Sequence, residues 1–343
     1  FHYIATNPPW GAVSAGRIPE PLTYEESFSC FFVNAFRRLE EGGVIRFLFP
    51  ESVLYIGAHR DLRKFMLDHC CIEQITRYQE RFSGVATKYV EICCRKSPAK
   101  KELQVIDSEG KKQVPLSAFR ETENYTFCFL TEEEMKIIHR MKALGTYDLS
   151  DSIWALGIVT GDNQNKLRET NKGGLEPIIT GREIQRYYVK PAVKYLRYAP
   201  SELQQSAREE YYRAKEKLVY KFISDRLIFA YDDSGSLILN SGNILIPSVP
   251  HMGMKTVLAY LNSELFQFFY RKCFQSVKVL KGNLLKLPFP EISKKQNQKI
   301  EDLVNRILAG EQEADDRLQK IIFEQYGLTE VQIQLIREEN GKK

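Results

Sequence analysis

The stretch Asn7-Pro8-Pro9-Trp10 carries the clearest chemistry in this sequence. Two successive prolines remove two backbone donors and stiffen a turn, so its carbonyls are left to face outward. Asn7 adds an amide oxygen, Pro8 a carbonyl and Trp10 a flat stacking face. Two acceptors beside an aromatic plate suit a planar ligand with an exocyclic amino group, such as adenine. Each of these residues is also common in plain turns, and the tetrapeptide alone leaves that reading open. Its setting favours a ligand site, because open α/β sheets bind ligands beyond the carboxyl ends of their strands.

Such a turn needs a strand before it and a helix behind it. Tyr3-Ile4-Ala5-Thr6 reads as the strand. Thr23 and Glu26 stand at capping-box spacing ahead of Phe28, Phe31, Phe32, Ala35, Phe36 and Leu39, which recur at helical period and stop at Gly42. Val44 to Phe49 is an apolar run broken by Arg46, suited to a buried strand, and Leu62, Phe65 and Met66 mark a helix over about 58–69. Further strands are expected at 72–75 and 89–94. Strands alternating with helices predict an α/β layer with a mostly parallel sheet.

Beyond residue 97 the pattern changes. Ser97 to Lys101 reads as a linker, and Thr131-Glu132-Glu133-Glu134 as a helix start. Residues 227–231 and 243–246, either side of an Asp232-Asp233-Ser234-Gly235 turn, suggest hairpin structure. One helix is expected from 255 to 271, striped by Leu258, Leu261, Leu265 and Phe268, and a polar helical tail from Ser293.

Composition excludes several classes. The 343 residues favour two domains. No apolar run reaches the length of a membrane span, and no signal peptide is visible. Seven cysteines without CxxC and five scattered histidines support neither a disulfide framework nor a metal site, and suggest reduced thiols packed in a cytoplasmic protein. Asp232-Asp233 near Lys221 is too loose for a nuclease cluster. A net charge of +5 permits a polyanionic partner only where cations cluster. The opening Phe1-His2-Tyr3-Ile4, without methionine, reads as a piece of a larger protein.

These residues resemble amino-group DNA methyltransferases that carry an [NDS]-PP-[YFW] motif. Residues 1–10, 31–43 (FFVNAFRRLEEGG), 44–54 (VIRFLFPESVL), Leu62 to Phe65 and Arg81 to Val90 match its segments in order. The second region resembles the TaqI-like specificity domain of type II restriction–modification enzymes. Its matching residues are Gly157 to Asn163, Pro177 to Ile184, Leu261-Asn262-Ser263 and Leu287 to Pro290; Tyr326-Gly327-Leu328-Thr329 is similar to the tail of larger restriction–methylation polypeptides.

The resemblance implies the second half of a Rossmann-like methyltransferase sheet over 1–97 and a linker with strands and a helix over 98–148. An α+β specificity domain over 149–290 and a helical tail over 291–343 would follow. It implies an adenine-specific methyltransferase acting on double-stranded DNA, with Asn7, Pro8, Pro9 and Trp10 catalytic and a flipped base held between Trp10 and Phe82. S-adenosylmethionine would be the methyl donor. Its Gly-rich loop would lie upstream, so this stretch alone is expected to be inactive. DNA contacts are expected from Arg182, Arg186, Tyr187, Tyr188, Lys190, Lys194 and Arg197, and from Arg271, Lys272, Lys278 and Lys281, because they interleave cations with aromatics. Two alternatives stay open: a DNA-binding module without chemistry, and a methyltransferase of protein glutamine, whose carboxamide also presents an NH2.

Overall fold

Phenylalanine spacing organises the first of two units, Phe1–Lys136 and Ile137–Lys343, into which the chain divides. The computed structural model describes residues 1–11, 18–24, 26–79, 88–274 and 277–342. Strand β1 (Tyr3–Thr6) leads straight into Asn7. Helix α1 (Ser27–Arg37) turns Phe28, Phe32 and Phe36 inward, toward β2 (Val44–Pro50) and α2 (Arg60–His69). Edge-to-face ring pairs lock these elements: Phe28 with Phe49 at 5.7 Å, Phe32 with Phe47 at 5.3 Å, and Phe36 with Phe65 at 5.6 Å between centroids. Each such pair adds about 0.5–1.5 kcal/mol beyond area burial.

Two details differ from the sequence expectation here. Phe31 faces solvent, one position off the buried stripe. The Thr23–Glu26 capping box is not made. Thr23 donates its hydroxyl to Asp61 and Glu26 accepts from the Gly11 N–H, so α1 starts without a side-chain cap.

The first sheet has six strands in the order β1-β2-β4-β3-β5-β6. It is mixed rather than mostly parallel. β4 (Tyr89–Arg95) runs antiparallel between β2 and β3 (Cys71–Arg77), and only β1–β2 and β3–β5 are parallel. Residues 78–88 are too short for the dozen or more residues a parallel crossover needs. Residues 98–148 are more than a linker, since β5 (Glu102–Asp107) and β6 (Gly110–Pro115) extend this sheet as a hairpin. The turn α3 (Ser117–Arg120) and helix α4 (Glu132–Leu144) follow, and the division between units falls within α4. Here the expected cap is made: Glu134 accepts from the Thr131 N–H at 2.7 Å.

The second unit contains two four-stranded sheets. One holds β8 (Ile153–Leu156), β12 (Lys217–Lys221), β13 (Phe229–Asp232) and β15 (Gly242–Ile246). The other holds β9 (Leu167–Arg168), β10 (Glu176–Ile179), β11 (Lys194–Leu196) and β14 (Leu237–Ile238). Their shared core includes Ile158, Ile178, Leu196, Val219, Leu237 and Ile244. The Asp232–Gly235 turn does not close a hairpin, because β13 and β14 belong to different sheets. Asp232 anchors that crossing by accepting from the Ser234 N–H and lying 2.6 Å from the Lys217 ammonium, with both charged side chains buried. Beyond the sheets, β7 (Gly145–Tyr147) pairs with β16 (Phe289–Pro290).

After the single turns α5 (Asn163–Lys166) and α6 (Glu209–Tyr212), the helix expected over 255–271 is two helices, α7 (Met254–Leu261) and α8 (Glu264–Cys273). Asn262 breaks them apart because its side chain serves β13, accepting from the Phe229 N–H and donating to the Phe229 carbonyl. Ser263 then caps α8 through the Phe266 N–H. The tail is helical as expected, in three segments over 294–308, 313–325 and 330–341.

Candidate functional site

Asn7 follows the last residue of β1, so the tetrapeptide occupies the carboxyl end of an edge strand. The start of α1 fastens it from behind. Ser27 donates its hydroxyl to the Pro9 carbonyl at 2.6 Å, the Ser27 N–H donates to the Gly11 carbonyl at 2.9 Å, and Glu26 accepts from the Gly11 N–H at 3.0 Å. Of the two proline carbonyls, that of Pro9 is therefore occupied. The Pro8 carbonyl and the exposed Asn7 amide have no hydrogen-bond partner among the described residues. Trp10, next in line, is half-buried. Phe82, expected across from it, lies outside the described residues.

Sequence reasoning did not find Ser27 as an anchor. Nothing in its spacing separates it from any first-turn serine. Glu26 was legible only as a cap.

Behind α1, His59 packs its ring edge-on to Phe28 at 5.1 Å and near Tyr24 at 6.1 Å. Burial, aided by the Arg63 charge, lowers its pKa to about 4. Arg63 is itself buried and donates to the carbonyls of Val53, Ile56, Asn124 and Tyr125. It thereby holds the segment after β2 against α2.

The cations of the second unit divide into outward and inward sets. Residues 183–190 form a tight hairpin, with the Lys190 N–H donating to the Glu183 carbonyl and the Gln185 N–H to that of Tyr188. Arg182, Tyr188 and Lys190 project from it, and Arg197 is also exposed. The side chains of Arg182, Lys190 and Arg197 have no ion-pair or hydrogen-bond partner among the described residues. Lys194 lies 3.4 Å from Glu169, and Lys278 and Lys281 are exposed. Tyr188 and Lys190 border an open groove of about 750 Å³. Asp232 and Asp233 line it too, which leaves the groove mixed in charge.

Four residues expected at a nucleic-acid surface serve the protein's own packing instead. Tyr187 is buried and bonds its hydroxyl to Asp315 at 3.3 Å. Arg186 forks onto the same carboxylate and donates to the Asn262 carbonyl at 3.1 Å. Arg271 donates to the Glu339 and Lys342 carbonyls, and Lys272 pairs with Glu339. These four face the helical tail because its acidic side chains and helix-end carbonyls need donors.

Residues 176–289 match the TaqI-like C-terminal specificity domain. The chain is also 25% identical over 197 residues to the type II methyltransferase M.VspI of Vibrio sp. (strain 343), a match covering 54% of this chain and 48% of that protein. Its fold is that of the type IIL restriction–modification enzyme MmeI, solved in complex with DNA. The TM-score is 0.62 at 13% identity, over 98% of this chain and 56% of that one. The chain thus spans about half the length of these relatives.

Within the specificity-domain match, the motif residues act as joints. At Gly181 an added Cβ would lie 2.8 Å from the Ser241 carbonyl, so only glycine fits. Glu183, buried, accepts from both the Thr180 N–H and hydroxyl, which fixes the turn and leaves Arg182 outside. Just before the match, an added Cβ at Gly157 would come within 2.2 Å of the Leu239 carbonyl where the two sheets join. After it, the Tyr326 hydroxyl donates to the Pro288 carbonyl at 2.5 Å and ties the tail to the end of the domain.

Proposed function

We propose that this chain is the catalytic-turn and specificity portion of a DNA methyltransferase that modifies the exocyclic amino group of a flipped adenine. The observation that carries the reading is the asymmetry of the turn: the Pro9 carbonyl is tied to Ser27, while the exposed Asn7 amide and the carbonyl of the buried Pro8 have no hydrogen-bond partner among the described residues. Two acceptors from adjacent residues suit the two hydrogens of an NH2 group. Accepting both draws the nitrogen lone pair out of conjugation with the ring. This is catalysis by positioning and preorganised dipoles rather than by a strong base.

A base stacked in a duplex cannot reach such a turn, and flipping it out costs a few kcal/mol. Stacking on Trp10 offsets part of that, at about 1–3 kcal/mol per base. Phe82 is the proposed second face. Arg182, Tyr188, Lys190, Lys194, Arg197, Lys278 and Lys281 are the proposed contacts to double-stranded DNA, from one hairpin, its neighbouring strand and one tip of the specificity region. That MmeI, which has the same fold, was solved in complex with DNA supports a DNA partner, and the choice of these side chains rests on their exposure and charge.

S-adenosylmethionine is the methyl donor this reading implies for the longer protein. The described residues do not form its cradle: none of their glycines stands in a Gly-x-Gly turn between a strand and a helix. No step is therefore routed through it.

The test is transfer of labelled methyl from S-adenosylmethionine by the longer protein, offered DNA and protein acceptors. Label on adenine N6 is expected, with Asn7→Ala lowering kcat about 10²–10³-fold, as removal of one preorganised polar group does elsewhere. Label on protein glutamine, or DNA binding without transfer, would overturn the reading.

A further inference from the structure

Ile223 and Val277 are among the most exposed apolar side chains of the second unit, at 66% and 69%, and the backbone places them on two paired segments, at diagonal positions that alternate between the two faces. The Ser224 N–H donates to the Val277 carbonyl at 3.0 Å, the Val279 N–H donates to the Phe222 carbonyl at 2.8 Å, and Ile223 bridges antiparallel to Lys278. Two short extended segments thus form one tip with both β-branched side chains in water. Leu280, 42% exposed, continues the apolar surface. The tip lies inside the span that matches the specificity domain.

Lysines surround it. The Lys278 ammonium lies 5.8 Å from the Phe222 ring and that of Lys281 5.6 Å from the Trp154 ring. Lys221 enters the first segment; Asp225 is the acid that follows it, and Arg226 donates one nitrogen to the Asn340 carbonyl. A scattered exposed aliphatic needs no explanation, but one on each face of a single paired tip, with cations on both segments, does. A second copy of this chain is a poor occupant, because a symmetric contact would set the lysine ring against itself. A polyanion with an apolar interior satisfies both features at once.

We propose that this tip is a wedge that enters a groove of duplex DNA, with Ile223 and Val277 against the bases and Lys278 and Lys281 on the flanking phosphates. Aliphatic side chains inserted at a base step unstack it, and cations on either side hold the backbone through the deformation. The wedge rests on the DNA-binding reading above and adds to it the residues that deform the duplex.

Fluorescence anisotropy of this chain with a random-sequence duplex library, titrated with salt, tests the wedge. Ile223→Ala/Val277→Ala is expected to weaken binding about 10-fold, by loss of buried apolar surface, with the slope of log K against log salt unchanged. Lys278→Ala/Lys281→Ala should reduce that slope by up to about 2, at about 0.9 per phosphate. Val331→Ala, an exposed apolar position on the last helix, should change neither. In a duplex with 2-aminopurine at adenine positions, the parent should raise fluorescence and the double alanine variant should not.

Unchanged affinity and unchanged fluorescence in Ile223→Ala/Val277→Ala would overturn the wedge while leaving DNA binding intact. So would a parent dimer that this variant dissociates. A parent that binds no duplex at low salt would overturn both the wedge and the DNA reading beneath it.

Discussion

Arg186 and Asp315, 129 residues apart in sequence, meet in a forked ion pair, with Nη2 2.9 Å from Oδ1 and Nη1 bonded to Oδ2. Arg186 also donates to the Asn262 carbonyl, so a single guanidinium joins the specificity hairpin, the break between α7 and α8, and the helical tail. Burial pushes the Asp315 carboxyl up, but the hydrogen bonds and charge of Arg186, with Gln319 and Tyr187, outweigh it and hold the pKa below its ordinary 3.8. The stabilisation is therefore present above pH 3.8 and is lost as pH falls through the lowered value. Arg186→Ala should cost about 1–2 kcal/mol in urea unfolding at neutral pH, since the pair is partly exposed. Lys at this position should not restore it, lacking the fork. If Arg186 instead held a phosphate, the substitution would lower the salt slope of DNA binding and leave unfolding unchanged.

The ion pair also shows where sequence reading reaches its limit. Periodicity revealed α1, β2 and α2, because their phenylalanines face one core and the 3.6-residue repeat records that. The Asn7–Trp10 turn was legible as a turn because two successive prolines follow directly on the short strand β1. Arg186 and Tyr187 were not. Their neighbours Arg182, Tyr188 and Lys190 have the same composition and point outward, and only a partner 129 residues away decides which of them turn in. Asn262 was hidden for a similar reason: a helical stripe runs through it, while its amide is held by the backbone of Phe229. The direction of β4 depends on a short link rather than on its own residues, so alternation of strands and helices could not give it.

His59 gives the first unit an acid sensitivity of its own. Its ring lies between Tyr24 and Phe28, and Nδ1 has no hydrogen-bond partner among the described residues. With a folded pKa of about 4 against an ordinary 6.5, the unfolded chain takes up the proton first. The His59 contribution is therefore complete above pH 6.5 and declines as pH falls toward 4, by up to about 3 kcal/mol. His59→Phe should flatten that part of the profile. Urea unfolding of both proteins at pH 7.5 and 4.5 measures it. An identical loss in the two proteins would assign the acid sensitivity elsewhere.

Ser27 tests whether the turn works by position. Its hydroxyl holds the Pro9 carbonyl and its N–H holds that of Gly11, yet nothing in the proposed chemistry needs Ser27 to touch the base. Removing the hydroxyl leaves Pro9 free and lets the Asn7 and Pro8 acceptors drift from the spacing an NH2 group requires. A displacement of about 1 Å at a reacting centre costs on the order of 10²-fold in rate. In the longer protein, Ser27→Ala should lower kcat by about 10–10²-fold with KM for DNA little changed, because the acceptors act on the reacting amine while groove contacts set affinity. Ser27→Thr keeps the hydroxyl and should recover most of the rate. A rise in KM at constant kcat would make Ser27 a binding residue, and failure of Thr to rescue would reduce its role to packing at the start of α1.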